Sequence, residues 1–347
     1  MTRSLLRAFR TAIPPQQSHF SSIAKSAMPF NRSVLVTGGT ANLGYHGALN
    51  IARKHPDYQV VLASRTDPDS AAKSINETLK QNNATFLPLD LGSFKDIRSF
   101  AETWQERNFP PIQYLLLNAG VQFPDGGHRT KDGIEATFGI NHVGHALLFH
   151  LLTNHLTETA RIILTSSSTH DPDQKTYTPK AKYTTAEALA HPPPDPASSS
   201  AGFAYYTSSK LANILWTYAL HRRLQRTPGK QGITVAAFDP GFMAGTGLAR
   251  SAGPIGRFMW FHVIPWITPL LRLLIGPNVH TPEESGANLA WLTTATEAVE
   301  VNGGYFEGRT KKASSKDSQD EAKQEDLWGW TVKTVAVSEE ERRGFDL

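Results

Sequence analysis

The sequence predicts an α/β protein built on a single doubly wound parallel sheet with helices on both faces. Three observations predict it. Short runs rich in Val, Ile and Leu recur between helical stretches, and such runs read as strands buried on both faces. The first run ends in a glycine-rich turn. The series continues without a break that would divide it into two domains.

The elements follow in order. Residues 33–37 (SVLVT) form a strand, and 43–54 a helix. Residues 59–63 (QVVLA) are the second strand, followed by a polar helix over 71–81. A third strand over 85–89 leads to a helix over 94–107, and 114–117 is the fourth strand. Helical periodicity then runs over 134–156. Residues 161–165 are a fifth strand, 205–226 another helix, and 233–238 a sixth strand. One sheet domain over 33–310 accounts for all of them, preceded by a leader over 1–32 and followed by a tail over 311–347. Two segments interrupt the rhythm. Residues 171–202, with HPPPDPASSSAG, read as an insertion after the fifth strand, and about 242–280 as a lid. Beyond Thr310 the chain turns polar and charged (KKASSKDSQDEAKQED) and reads as a solvated or disordered tail.

Composition excludes some chemistry. Among 347 residues there is no cysteine, so there is no disulfide framework, thiolate nucleophile or cysteine metal site. The net charge of +4 comes from 35 bases against 31 acids. Five of the bases, Arg3, Arg7, Arg10, Lys25 and Arg32, lie in a leader whose next acid is Asp57. Removing those five from 35 leaves 30 bases against 31 acids, a balance of −1. The body therefore lacks the basic surplus of a nucleic-acid surface, and no nucleic-acid partner is expected. The leader is Arg- and Ser-rich, the composition of a mitochondrial presequence or of a disordered extension in a cytoplasmic protein. His142, His145, His150 and His155 decorate one helix without a convergent carboxylate or thiolate, so no metal site is expected.

The first strand ends in Thr37-Gly38-Gly39-Thr40-Ala41-Asn42-Leu43-Gly44. A strand, a glycine turn and a helix in this order make a dinucleotide site of the Rossmann kind. The turn residues Gly38, Asn42, Leu43 and Gly44 bring backbone and helix N-terminus to the pyrophosphate. A tight strand-to-helix turn needs the same glycines for its own geometry. Asn42 stands where a second glycine is usual, and asparagine tolerates left-handed backbone angles. The second strand ends at Arg65, where an acid would accept a ribose 2′-hydroxyl; the guanidinium suits a 2′-phosphate and so NADP(H), or is an ordinary surface arginine. Asp90 and Asn118 end the third and fourth strands, one placed for the adenine amino group and the other beside the ribose.

Ser166-Ser167-Ser168 follows the fifth strand, and Tyr206 and Lys210 lie one turn apart on the next helix. An ammonium beside a phenol stabilises the phenolate, lowers the phenol pKa and fits it for proton transfer to or from a carbinol oxygen. Alone, such a Tyr–Lys spacing is common. In register with the glycine turn, the serines and Asn118, it is specific.

On these residues the chain resembles the short-chain dehydrogenase/reductase family over about 33–310. NHVGH, SSSTH and DPGFMAGTGL most resemble the branch of protochlorophyllide reductases, retinol dehydrogenases and related carbonyl reductases. The resemblance implies a catalytic set of Asn141, Ser167, Tyr206 and Lys210, with Asn141 holding a water that joins the lysine to bulk. It implies nicotinamide contacts from Pro240, Gly241 and Thr246, cofactor contacts from Tyr206 and Lys210, and NADP(H) as the usual cofactor.

The function expected is NADP(H)-dependent reduction of a carbonyl, or oxidation of its alcohol, on a bulky apolar small molecule such as a lipid or a specialised metabolite. The alternative is a dinucleotide-binding scaffold or regulator that has lost catalysis, to which Asn42 alone points. Residues 258–275 (FMWFHVIPWITPLLRLLI) read as an apolar lid, leaving open a membrane-surface patch or, less suitably given two prolines, His262 and Arg272, a span. Homo-oligomerisation stays open.

Overall fold

Successive residues of the central strands face opposite layers of the molecule, and both layers are dry. On β1 (Arg32–Thr37), Val34 and Val36 join one hydrophobic cluster and Leu35 the other. On β4 (Ile112–Leu117), Leu115 and Leu117 face one side and Leu116 the other. This is why the strands read as unbroken apolar runs.

In the computed structural model, residues 30–174, 178–193, 201–243, 267–274, 276–296, 301–345 and 347 are described. The leader up to residue 29, Thr246, most of 258–275 and parts of 171–202 lie outside them.

The sheet has eight strands in the order β3-β2-β1-β4-β5-β6-β7-β8. Besides β1 and β4 these are β2 (Tyr58–Ser64), β3 (Ala84–Pro88), β5 (Leu156–Thr165), β6 (Thr234–Asp239), β7 (Gly304–Glu307) and β8 (Thr310–Lys312). All neighbours pair in parallel except β7 with β8. The doubly wound sheet expected from the sequence is therefore present. Strand order reverses between β1 and β4, the switch point where open sheets of this kind bind ligands.

Four helices follow the first strands: α1 (Asn42–Lys54), α2 (Ala71–Leu79), α3 (Phe94–Glu106) and α4 (Gly144–Leu152). Where a continuous helix over 134–156 was expected, a wide π-helical turn (Gly139–Val143) precedes α4 and β5 already starts at Leu156. Then come α5 (Ala186–Ala190), α6 (Ala201–Arg226), α7 (Thr268–Leu274), α8 (Pro282–Thr294), α9 (Glu321–Val335) and α10 (Glu339–Phe345). α8 packs on α1 under one face of the sheet, and α9 on α6 over the other.

One expectation is corrected. The tail beyond Thr310 is not solvated: β8 extends the sheet, and Leu327, Trp328, Val332, Val335 and Phe345 join the main hydrophobic cluster. The polar stretch KKASSKDSQDEAKQED hides this because its charges occupy one side of the segment while the apolar residues come later. The insertion is likewise part of the body where it is described. Ala181, Tyr183, Ala186 and Ala190 are buried in the same cluster. The Tyr183 hydroxyl and the Ala186 amide both donate to Asp326 on α9, at 2.7 and 2.8 Å.

Candidate active site

The glycine turn closes at the switch point. Gly38 has φ +65°, and a Cβ on Gly44 would lie 2.2 Å from the Gly38 carbonyl oxygen, so both positions require glycine. Asn42 takes φ +47°, the left-handed conformation that its position demands. Asn118 pins three strand ends together. Its side-chain amide donates to the Thr37 carbonyl at 2.9 Å, and its oxygen accepts from Thr165 at 3.3 Å. The Thr37 hydroxyl accepts from the amides of Asn118 and Ala119 at 2.8 and 3.0 Å.

Arg65 is exposed at the end of β2 and forms no ion pair with a described residue. Beside it the Thr40 hydroxyl donates to Ser64 at 3.0 Å. Asp90 follows β3 and is engaged locally. It accepts from the Gly92 amide at 3.0 Å and faces Lys131 at 3.3 Å.

Three elements bring the Ser, Tyr, Lys and Asn side chains together. Ser166 is spent on structure, since its hydroxyl donates to the Lys210 carbonyl at 2.8 Å. Ser167 caps the following turn, its hydroxyl accepting from the Thr169 amide at 3.3 Å, and that hydroxyl also draws the Tyr206 phenol pKa downward. Lys210 is buried; its ammonium donates to the Thr165 carbonyl at 3.1 Å and lies 5.4 Å from the centre of the Tyr206 ring.

Asn141 sits within the π-helical turn. Its side chain donates to the Val121 carbonyl and to Ser209, each at 3.0 Å, and accepts from the Val121 amide at 2.8 Å. Ser209 in turn donates to the Tyr206 carbonyl at 2.7 Å, so Asn141 anchors the turn of α6 that carries Tyr206.

Burial dominates the electrostatics. It pulls the Lys210 ammonium down to about 8, opposed by the buried carboxylate of Asp239. Burial, with Asp239 second, pushes the Tyr206 phenol above its ordinary value, opposed by the Ser167 hydroxyl. The expected lowering of this phenol is not what the structure shows: desolvation of the anion is the largest effect on it and raises it.

Sequence reasoning gave three residues no role of their own at the site. Asp239 is one. The others are His145 and Thr37. Burial lowers His145 to about 4, so the ring is neutral. Its Nδ1–H donates to the Asn141 carbonyl at 3.0 Å, and its Nε2 accepts the Thr37 hydroxyl proton at 2.9 Å. His145 thereby ties the glycine turn to Asn141. The second histidine of NHVGH was the only signal for it. The other helix histidines serve packing: His142 meets Thr331 at 3.1 Å and His150 stacks on Phe345.

The Pro-Gly turn after β6 is clamped from α8 and the segment before it. Ser285 donates to the Pro240 carbonyl at 2.7 Å, and the Phe242 amide to the Asn278 carbonyl at 2.8 Å. Gly241 has φ +81°.

The short chain dehydrogenase family model matches residues 32–187, and a model described as the AcuH dehydrogenase domain matches 251–343. Human retinol dehydrogenase 13 is 32% identical over 322 residues, covering 90% of this chain and 87% of that protein. The chain belongs to the short-chain dehydrogenase family. Human polyprenol dehydrogenase is 29% identical, covering 88% of this chain and 86% of its own. The structure of the Pseudomonas aeruginosa RhlG/NADP active-site complex shares the fold, with a TM-score of 0.56 at 18% identity over 81% of this chain and 97% of that one. As a family member the chain is an oxidoreductase that interconverts an alcohol and a carbonyl on a small molecule, using a nicotinamide dinucleotide. Tyr206 and Lys210 fall between the two matched segments.

The site fits such a dinucleotide. A Cβ on Gly120 would come within 3.4 Å of the Lys210 ammonium and 3.6 Å of the Asn141 side-chain oxygen, so glycine there keeps space over both groups.

Proposed function

We propose that this enzyme reduces the carbonyl of a bulky apolar small molecule with NADPH, Tyr206 supplying the proton. The observation that carries the reading is the Lys210 ammonium 5.4 Å from the centre of the Tyr206 ring, with the Ser167 segment beside the same helix through the Ser166–Lys210 hydrogen bond.

Gly38, Asn42, Leu43 and Gly44 would hold the pyrophosphate, Arg65 the 2′-phosphate, Asp90 and Asn118 the adenosine end, and Pro240, Gly241 and Thr246 the nicotinamide. When bound, the dinucleotide would supply a hydride for the carbonyl carbon. Ser167 holds the carbonyl oxygen, and the Tyr206 phenol gives that oxygen its proton, leaving alcohol and phenolate. Lys210 lies against the phenolate and lowers its cost. Solvent then restores the phenol. A phenol whose pKa is raised keeps its proton across neutral pH, which suits an acid. Reduction falls as pH rises through the phenol and ammonium values, whereas oxidation requires the phenolate and rises with pH.

Two exposed apolar side chains near the proposed site in the chain support a bulky apolar substrate. Phe203 lies one turn before Tyr206 on α6, and Phe242 follows the Pro-Gly turn; each is 40% exposed. Retinol and polyprenol, which name two relatives, are long apolar alcohols. The exposed Leu270, Leu273 and Leu274 on α7 suit an apolar lid or contact with a membrane surface. Among the described residues no helix is long and apolar enough to cross a membrane.

The test is reduction of retinal and other apolar aldehydes with NADPH by wild type and Tyr206→Phe. A loss of 100-fold or more in kcat/KM is expected, by the usual weight of general acid catalysis of about 10²–10⁴. A variant retaining most activity overturns the mechanism.

A further inference from the structure

His170 ends the SSSTH run and is fully buried. Both of its ring nitrogens are engaged. Nε2 lies 3.1 Å from the Ser315 amide, and Nδ1 lies 2.8 Å from the Ser167 carbonyl. A peptide N–H can only donate, and a carbonyl can only accept. Nε2 therefore carries the lone pair and Nδ1 the proton, so the ring is neutral and held in one tautomer. It packs edge-on against the Tyr305 ring at 4.8 Å.

Ser315 belongs to the segment after β8, and that segment is itself fastened to α6. Ser314 meets the Tyr218 hydroxyl of α6 at 2.6 Å and accepts from Ser318 at 2.7 Å. Gln324 on α9 donates to the Ser318 carbonyl at 2.7 Å. Ser314, Ser315 and Ser318 are all buried. The Ser167 turn is thus tied to α6 at both of its ends. Before it, Ser166 donates to the Lys210 carbonyl at 2.8 Å. After it, the tie runs through His170, Ser315 and Ser314 to Tyr218, which lies on the helix that carries Tyr206. Between the ties, the Ser167 hydroxyl accepts from the Thr169 amide at 3.3 Å and from the Thr169 hydroxyl at 3.1 Å. Two accepted bonds fill both lone pairs of a hydroxyl, and what it has left to give is its proton. A substrate carbonyl oxygen accepts such a proton.

We propose that His170 is a positioning residue for Ser167: as a neutral bridge between the Ser167 carbonyl and the Ser315 amide, it fixes the serine turn against the C-terminal segment and aims the hydroxyl at the substrate oxygen. This rests on the reading of Ser167 as the group that holds that oxygen. His145 stands in the same relation to Asn141, giving its Nδ1 proton to that carbonyl and accepting at Nε2 from Thr37.

The test uses the full chain in two measurements. In the first, the imidazole nitrogen chemical shifts of histidine-labelled protein report the protonation of the ring at neutral pH, with His170→Asn or His170→Gln identifying its signals. A neutral ring protonated at Nδ1 is expected. A ring protonated at Nε2, or at both nitrogens, overturns the proposal. In the second, retinal reduction with NADPH is compared among wild type, His170→Asn, Ser167→Ala and the double variant. NADPH fluorescence counts the binding-competent sites in each. Asparagine keeps a donor for the Ser167 carbonyl but is too short to reach Ser315. Misplacing a reacting group by about 1 Å can cost about 10²-fold in rate, and the loss of one tie is expected to lower kcat per competent site about 10-fold, with KM for NADPH unchanged. In the Ser167→Ala background the same substitution is expected to change kcat by less than about 2-fold, because the hydroxyl it positions is gone. Losses that multiply, or a His170→Asn variant with wild-type kcat, overturn the proposal. His170→Gln keeps an acceptor for the Ser315 amide and guards against a folding defect; the same coupling to Ser167→Ala is expected of it. Ser167→Ala separates the two readings. If that variant keeps wild-type kcat, the reading of Ser167 fails and the proposal with it. If it is impaired and the loss from His170→Asn is undiminished in its background, only the role of His170 fails.

Discussion

At the scale of single residues, much of the site could be read because its chemistry is local. Tyr206 and Lys210 are one helical turn apart, and a strand-end serine and a glycine turn need only their neighbours to be recognised. Asp239 could not be read in this way. Its surroundings come from Gly241, Asn278 and Tyr305 converging on it from separate segments, and no spacing announces that. The proposal for Arg65 rests on the same local ground, its position at a strand end. Its prediction follows from charge alone. Arg65→Asp removes the fork for a 2′-phosphate and puts a repelling carboxylate in its place. NADPH affinity is expected to fall about 10- to 100-fold, the worth of one or two charge-assisted hydrogen bonds, and NADH affinity to stay or rise. Titration of both cofactors checks this. A variant that still prefers NADPH by the wild-type ratio sinks the assignment.

At the scale of elements, burial on both faces made six strands legible, whereas β7 and β8 are four and three residues long and lie among glycines and charges. The π-helical turn before α4 was invisible because its residues keep helical periodicity; only the backbone shows that the ladder widens there. The π-helical turn and α4 together carry the clearest prediction at this scale. His142, His145 and His150 are buried and neutral, with burial lowering them from 6.5 to about 3, 4 and 3. The unfolded chain takes up these protons near pH 6.5, and the folded chain does so only near 3 to 4. Their contribution is therefore complete above pH 6.5 and is lost as pH falls toward 4, at about 1.4 kcal/mol per pH unit for each histidine. His150 isolates one share. Neither ring nitrogen has a hydrogen-bond partner among the described residues, and the ring stacks on Phe345 at 4.6 Å. His150→Phe is expected to match or exceed wild-type stability at pH 7 and to flatten the acid dependence by one histidine's share. Urea unfolding at pH 7 and pH 5 measures both. An unchanged slope would show that His150 is already charged or exposed in the folded state.

At the scale of the whole molecule, the C-terminal segment closes the fold around the helix that carries the reacting groups. Composition disguised it, because charge density reads as solvation until a partner surface is known. That partner is α6. Trp328 on α9 is 1% exposed and stacks on Trp216 of α6 at 5.9 Å, with the Arg223 guanidinium 4.3 Å over its ring. Glu325 meets Arg222 and Arg223 at the edge of the same contact, at 2.7 and 2.5 Å. These ion pairs are half exposed and contribute little beside the buried rings. Trp216 lies ten residues beyond Tyr206 on one continuous helix, so a cavity at Trp328 loosens the frame that holds Tyr206 and Lys210 against Ser167. The segments matching separate family models thus share one core and should unfold together. Trp328→Ala is expected to cost about 3–5 kcal/mol, the usual cost of emptying a buried indole site. That is a large part of a domain's margin. Activity below the lowered melting temperature should stay near wild type in KM for the aldehyde, and activity and fold should then vanish in one transition. Calorimetry together with residual-activity curves tests this. Two separated transitions, or a variant that melts with the wild type, would mean that α9 is a loosely attached appendage and not a wall of the core.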